Sequence, residues 1–273
     1  MYENREEDRQ VITGEFQHAH DLEQPAVMYE NLEQDLRLAA EFQRAVLPDQ
    51  VPVPYLQSEV IYQPHSMVSG DVYNFIQNRE QELGIFLGGA TGHGIPAALL
   101  SMMIHLGLET IRRDLPTNES LRRLNQLLAA RQTGLSVTGV YFRITPQGRL
   151  TVTHAAHPSL LILPADETRE MIHFEKGGCA LGIFEEEPVA YEEEEYQLMP
   201  GDKIIAYTDG ITEWRQQGQV VLDHHGFMDL LLINRHNSLS DLAKNLRKQI
   251  DAHQLRGRCD DDLTLVMVEY RKA

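Results

Sequence analysis

Residues 86–102 read FLGGATGHGIPAALLSM. An apolar run enters a glycine-rich turn, and an apolar helix leaves it with Pro96 in its first turn, where a missing N–H costs nothing. Strand, glycine turn and helix together form a frequent seat for phosphate or metal. The turn has no lysine, so it is not a P-loop, and Gly88–Gly89 followed by Gly92-His93-Gly94 fits the dinucleotide fingerprint poorly. It also lacks any carboxylate or cysteine. The backbone is that of a binding turn, without the usual binding side chains.

The flanks set the fold class. Strand-like runs precede the turn at Ser58–Gln63, Val72–Gln77 and Leu83–Leu87. The helix after it is expected from Ile95 to about Arg113, with Ala97, Leu100, Ile104, Leu108 and Ile111 on its apolar face, and a second from Asn118 or Glu119 to Gln132. Short strands follow at Val137–Thr145, Leu150–His157, Leu160–Leu163 and Met171–Phe174, punctuated by turns such as ProGlnGly at 146–148. Beyond the acidic run Glu192–Glu195, Asp202–Tyr207 reads as a buried strand. Ser240 is expected to cap a helix lined by Leu242, Leu246 and Ile250, and Leu263–Tyr270 is the last strand. Paired helices between hairpin-linked strands are not the βαβ alternation of a parallel sheet. They predict an α+β fold of antiparallel sheets with helices on their outer faces.

Residues 1–27 read as a polar tail, and Met28–Leu47 as a helix with Leu32, Leu36, Ala39, Phe42, Ala45 and Val46 at three- and four-residue steps, stopped by Pro48. The expected division is 1–47, tail and leading helix, and 48–273, one domain. The helix is either laid on the domain or a dimerising or switching element, and the sequence leaves both open.

Of 273 residues, 42% are hydrophobic and 24% charged, ordinary for a globular chain. The 24 Lys and Arg against 41 Asp and Glu leave a formal charge of −17, which repels nucleic acid and anionic membranes and suits cations or basic partners. Cys179 and Cys259 form no CxxC pair, so neither a disulfide framework nor a zinc ribbon is expected, and a reducing cytoplasm is the natural compartment. The first ten residues lack an apolar signal core, and no run approaches the roughly 18 apolar residues of a membrane span.

Aspartates stand at strand ends: Asp71 after Ser69-Gly70, Asp209 in TyrThrAspGly, and the triplet Asp260–Asp262 before LeuThrLeuVal. Oxygen-only ligands suit hard cations such as Mg²⁺ or Mn²⁺. Each alone also reads as a turn aspartate. His93 is either a proton donor or a residue that packs the turn; His154 and His157 read as structural, and His224–His225 as a loop pair with no third ligand.

These segments together resemble the PPM (PP2C-type) serine/threonine phosphatases, in the bacterial branch that includes SpoIIE and RsbU. The resemblance covers about residues 38–270. AlaGluPheGlnArgAlaValLeuPro (40–48) resembles the family's leading helix, SerGlyAspValTyrAsn (69–74) its Gly-Gly-Asp motif, and GlyGlyAlaThrGlyHisGly (88–94) its Gly-Asp-Val-[Ser/Thr]-Gly-His-Gly loop. AlaAlaHisProSerLeuLeu (155–161), AlaLeuGlyIle (180–183), the segment 200–213 and AspAspLeuThrLeuVal (261–266) follow in the family's order.

The resemblance implies an αββα sandwich and a site with two Mn²⁺ or Mg²⁺ ions, whose activated water attacks the phosphorus of phosphoserine or phosphothreonine. It places Asp71 on one metal, Asp209 and Asp261 on the other, with Asp262 in place of Asp261 if the triplet is read one step later, and the carbonyl of Ala90 as a further ligand. It implies phosphoserine substrates on small regulatory proteins of the anti-anti-sigma (STAS) type. The family's bridging aspartate falls at Gly89, which has no side chain, while Ser69, Asn74 and Ala156 also depart from the pattern. Two readings stay open: a weakened metal-dependent phosphatase, or a pseudophosphatase that binds a signalling partner.

Overall fold

The computed structural model describes residues 28–131, 133–175, 177–185, 190–212, 214–216, 219–254 and 261–272, with backbone alone at 214–216, 219–221 and 253–254. The tail 1–27, Cys259 and Asp260 lie outside them. The chain divides into two compact units between Arg44 and Ala45. The first carries most of helix α1 (28–46).

The second unit holds two sheets. One has the order β1 (Leu56–Gln63), β13 (Leu263–Tyr270), β10 (Lys203–Tyr207), β6 (Leu160–Leu163) and β7 (Ile172–Phe174). The other runs β2 (Asp71–Gln77), β3 (Leu83–Ala90), β4 (Val137–Ile144), β5 (Arg149–Ala155) and β8 (Gly177–Gly178), with β9 (Glu194–Gln197) also on β5. β11 (Trp214–Gln216) and β12 (Gln219–Leu222) form a separate hairpin. Helices α2 (Ile95–Thr110) and α3 (Thr117–Ala129) pack on the second sheet, and α5 (Leu239–Gln254) packs on the first, with α4 (His224–Ile233) beside β12.

Alternation along the strands explains the layering. On β13, Val266, Val268 and Tyr270 join the core between the sheets, while Leu263, Leu265 and Met267 join the core beneath α4 and α5. On β10, Ile204 and Ala206 face one way, Ile205 and Tyr207 the other. A strand covered on both faces carries apolar residues on both, which is why β10 reads as a continuous apolar run from Ile204 to Tyr207.

Several expectations are corrected. The sheets are antiparallel except where β8 runs parallel to β5, pairing His154 with Gly177 and Ala155 with Gly178. β3 continues past Leu87 through Gly88, Gly89 and Ala90, because Gly88 and Gly89 pair with both β2 and β4 and Ala90 pairs with Val137 of β4. β5 stops at Ala155, since Ala156 takes φ 53° and turns the chain before His157. The cap of α5 is Ser238, not Ser240: its Oγ accepts the Asp241 N–H at 3.1 Å and donates to Asp241 Oδ2 at 2.8 Å. The buried Leu239 therefore starts the apolar face one step earlier. His224 and His225 open α4 and are not in a loop, with Asp223 accepting the Gly226 N–H at 2.8 Å. The start of α3 is satisfied from far away in sequence, by Glu193 Oε1, which accepts the Thr117 N–H at 2.8 Å.

Candidate functional site

A cleft of about 300 Å³ opens where β2, β3, β10 and β13 end, and Asp71, Gly89, Ala90, His93, Asp209, Asp261 and Asp262 line it, whereas His154, His157, His224 and His225 do not. Thr91, Thr138 and Thr208 also line it. Gly92 and Gly94 take φ 88° and 79°, a left-handed backbone that side chains disfavour, and this carries the chain out of β3 and into α2. The loop is tied down at Thr91, whose N–H donates to the Ser136 carbonyl at 2.8 Å and whose Oγ1 accepts the Ser136 N–H at 3.0 Å.

Asp71 is the first residue of β2 and is 6% exposed. Its Oδ2 accepts the hydroxyls of Thr264 at 2.6 Å and Thr208 at 2.9 Å. Burial pushes its carboxyl up to about 8; the two threonine hydroxyls act against that rise, and the charges of Asp262 and Asp261 add to it. Both oxygens of Asp262 are engaged, accepting the N–H groups of His65 and Gly70, each at 2.7 Å. Asp209 and Asp261 are exposed at the mouth, where Asp261 Oδ1 accepts the Asp262 N–H at 2.8 Å. His93 is exposed at the rim of the loop.

The other departures from the family pattern lie apart from this cleft's lining. Asn74 is buried against α2, with Nδ2 at 3.4 Å from Glu109 Oε1 and 3.5 Å from His105 Nδ1. Ser69 Oγ accepts the Asp71 N–H at 3.0 Å and so shapes the approach to the site. His154 is buried with Nε2 accepting the Leu160 N–H at 3.2 Å, and burial lowers it to about 4. His157 Nδ1 lies 3.2 Å from Thr138 Oγ1, and burial lowers it to about 3.

The threonines were missed by sequence reasoning. Thr264 is fully buried inside LeuThrLeuVal, and a polar residue at a buried strand position needs a partner; that was the available signal.

The oxygen-rich lining suits a hard cation. Among the described residues no three His, Cys, Asp or Glu side chains converge as a metal-ligand set. Asp71 Oδ2 and both oxygens of Asp262 already have partners, and position 89 offers no oxygen.

The family described as Stage II sporulation protein E (SpoIIE) matches residues 79–271, more than half of the chain. The chain belongs to the SpoIIE family. Phosphoserine phosphatase RsbU of Bacillus subtilis is 25% identical over 247 residues, covering 89% of this chain and 72% of that protein. The SiaA-PP2C domain of Pseudomonas aeruginosa superposes with TM-score 0.76 at 20% identity, covering 88% of this chain and 98% of that one. RsbX, solved in complex with magnesium, superposes with TM-score 0.61 at 17% identity, covering 80% and 96%. These likenesses fix the SpoIIE-family chain as a PP2C-type αββα fold. Among its described residues no helix is long and apolar enough to cross a membrane.

Proposed function

We propose that this chain is a PPM-type protein-serine/threonine phosphatase of bacterial signalling whose site is one carboxylate short and correspondingly slow. The observation that carries the reading is the meeting of Asp71, Asp209 and Asp261, from three distant segments, in one cleft beside the GlyHisGly loop. Family membership and the likeness to RsbU support it.

In this reading Asp209, Asp261 and the Ala90 carbonyl hold one Mn²⁺ or Mg²⁺ ion. When bound, such an ion lowers the pKa of a water and neutralises phosphoryl oxygens. Asp71, locked by Thr208 and Thr264, holds the inner wall of the cleft. His93 at the rim gives a proton to the departing serine oxygen. The substrate is a phosphoserine on a regulatory protein, of the STAS type in the branch this chain resembles. Pairing of two chains through α1 belongs to the same proposal, since Met28, Tyr29, Leu32, Leu38 and Phe42 are exposed on it. The cytoplasm is the compartment proposed.

The test is Mn²⁺-dependent phosphate release from a phosphoserine peptide. Native activity that disappears in Asp209→Asn supports the phosphatase reading. The second reading, a pseudophosphatase that binds its partner without turnover, is favoured by Gly89 and by the internal satisfaction of Asp71. Silence of the native chain, together with partner binding that survives Asp209→Asn, selects it.

A further inference from the structure

Asp262 stands where several segments of the cleft meet. Its Oδ1 accepts the His65 N–H and its Oδ2 the Gly70 N–H, both at 2.7 Å. The Gly70 carbonyl in turn accepts the Ala90 N–H at 3.1 Å. The Asp262 N–H donates to Asp261 Oδ1 at 2.8 Å. The Asp262 carbonyl presses on the turn that carries Asp209: a Cβ at Gly210 would stand 2.0 Å from that oxygen, so only glycine closes the turn there. Asp262 is 5% exposed.

These contacts cross the sandwich. Asp262 leads into β13 of one sheet, while Gly70 leads into β2 and Ala90 ends β3 of the other. The path Asp262–Gly70–Ala90 therefore fixes the gap between the sheets at the end where the cleft opens. Backbone N–H bonds to a carboxylate are shorter and stronger than neutral ones, and burial protects them from water.

We propose that Asp262 is the positioning residue of the cleft. Its carboxylate sets the segment before Asp71, and through Gly70 the end of β3 at Ala90, against the start of β13 that carries Asp261, and does not itself ligate a cation. A cation on either oxygen would share it with a backbone N–H, draw charge from that hydrogen bond and loosen the segment before Asp71. The consequence for turnover rests on the phosphatase reading; the clamp does not.

Amide hydrogen exchange at His65 and Gly70, read by NMR on the full chain, tests this. The Asp262→Ala variant is expected to speed exchange at both amides by about tenfold or more. The Asp262→Asn variant keeps one acceptor oxygen and should leave one of the two amides protected. Adding Mg²⁺ to the native chain and to Gly89→Asp should leave both amides as slow as before. In the Gly89→Asp background, Asp262→Asn should lower kcat on a phosphoserine peptide by about tenfold or more with little change in KM. Faster exchange at either amide on adding Mg²⁺, or exchange unchanged in Asp262→Asn, overturns the proposal. If Gly89→Asp neither binds Mg²⁺ nor turns over, the phosphatase reading fails, and exchange in Asp262→Asn still decides the clamp.

Discussion

Gly89 pairs with Asp71 across β2 and β3, and a Cβ built on Gly89 would stand 2.8 Å from Asp71 Oδ1. The position where the family carries its bridging carboxylate thus faces the one oxygen of Asp71 that the threonines leave to the cleft. Residue 89 is not among the glycines with positive φ, so its backbone does not require glycine. Aspartate there would force Asp71 to shift and would set two carboxylates side by side.

Without metal, Gly89→Asp is therefore expected to destabilise the fold by about 1–3 kcal/mol, because the new side chain crowds Asp71 Oδ1 and places a second carboxyl beside a buried one. Mn²⁺ should restore that stability by binding the folded state alone. Thermal melts of native and variant chains, each with EDTA and with Mn²⁺, check this: the native melt should respond less to Mn²⁺ than the variant's.

Thr264→Val removes the 2.6 Å donor from Asp71 Oδ2 while keeping the side chain's shape. A buried carboxyl left short of a partner costs about 1–3 kcal/mol. Urea denaturation should give a loss in that range, and Thr208→Val, which removes the 2.9 Å donor, should also lose stability.

Gly210→Ala places a methyl 2.0 Å from the Asp262 carbonyl oxygen, a backbone atom that cannot swing aside. A loss of more than about 2 kcal/mol is expected in the same denaturation series.

His154 sets an acid limit on stability. Burial lowers its folded pKa from the ordinary 6.5 to about 4, so the folded state resists a proton that the unfolded chain accepts. Stability from this group is complete above pH 6.5 and falls as pH drops through the window from 6.5 to about 4. The slope is at most about 1.4 kcal/mol per pH unit for one such group. His157, lowered in the same direction, adds to it. Asp71, raised to about 8, works in the opposite direction and gains stability as pH falls below that value. The decline of the denaturation midpoint is therefore expected only below about pH 6.5, where the two histidines outweigh it, and His154→Gln should decline less steeply there.

The layered fold was legible because its signals are local. Alternation, turn residues and the Pro-started helix α2 each declare themselves within a few positions, and the apolar run at β10 marked a buried strand. What escaped depends on partners distant in sequence. Nothing near Thr117 announces that Glu193 caps α3, and nothing near Asp262 says that its oxygens go to His65 and Gly70. The candidate carboxylates were legible as a set, yet their division was not. Asp71 and Asp262 are committed to the protein, whereas Asp209 and Asp261 stand at the mouth. That division is decided by burial, which three adjacent aspartates in a sequence do not reveal.

The central claim is that the missing carboxylate at position 89 limits this site. The most direct test is the Mn²⁺-dependent rate of phosphate release from a phosphoserine peptide, measured side by side for the native chain and Gly89→Asp. The account predicts that Gly89→Asp is faster by at least about tenfold, and that adding Asp209→Asn to it abolishes the gain. A Gly89→Asp chain that folds, binds Mn²⁺ and is no faster than the native one would contradict it.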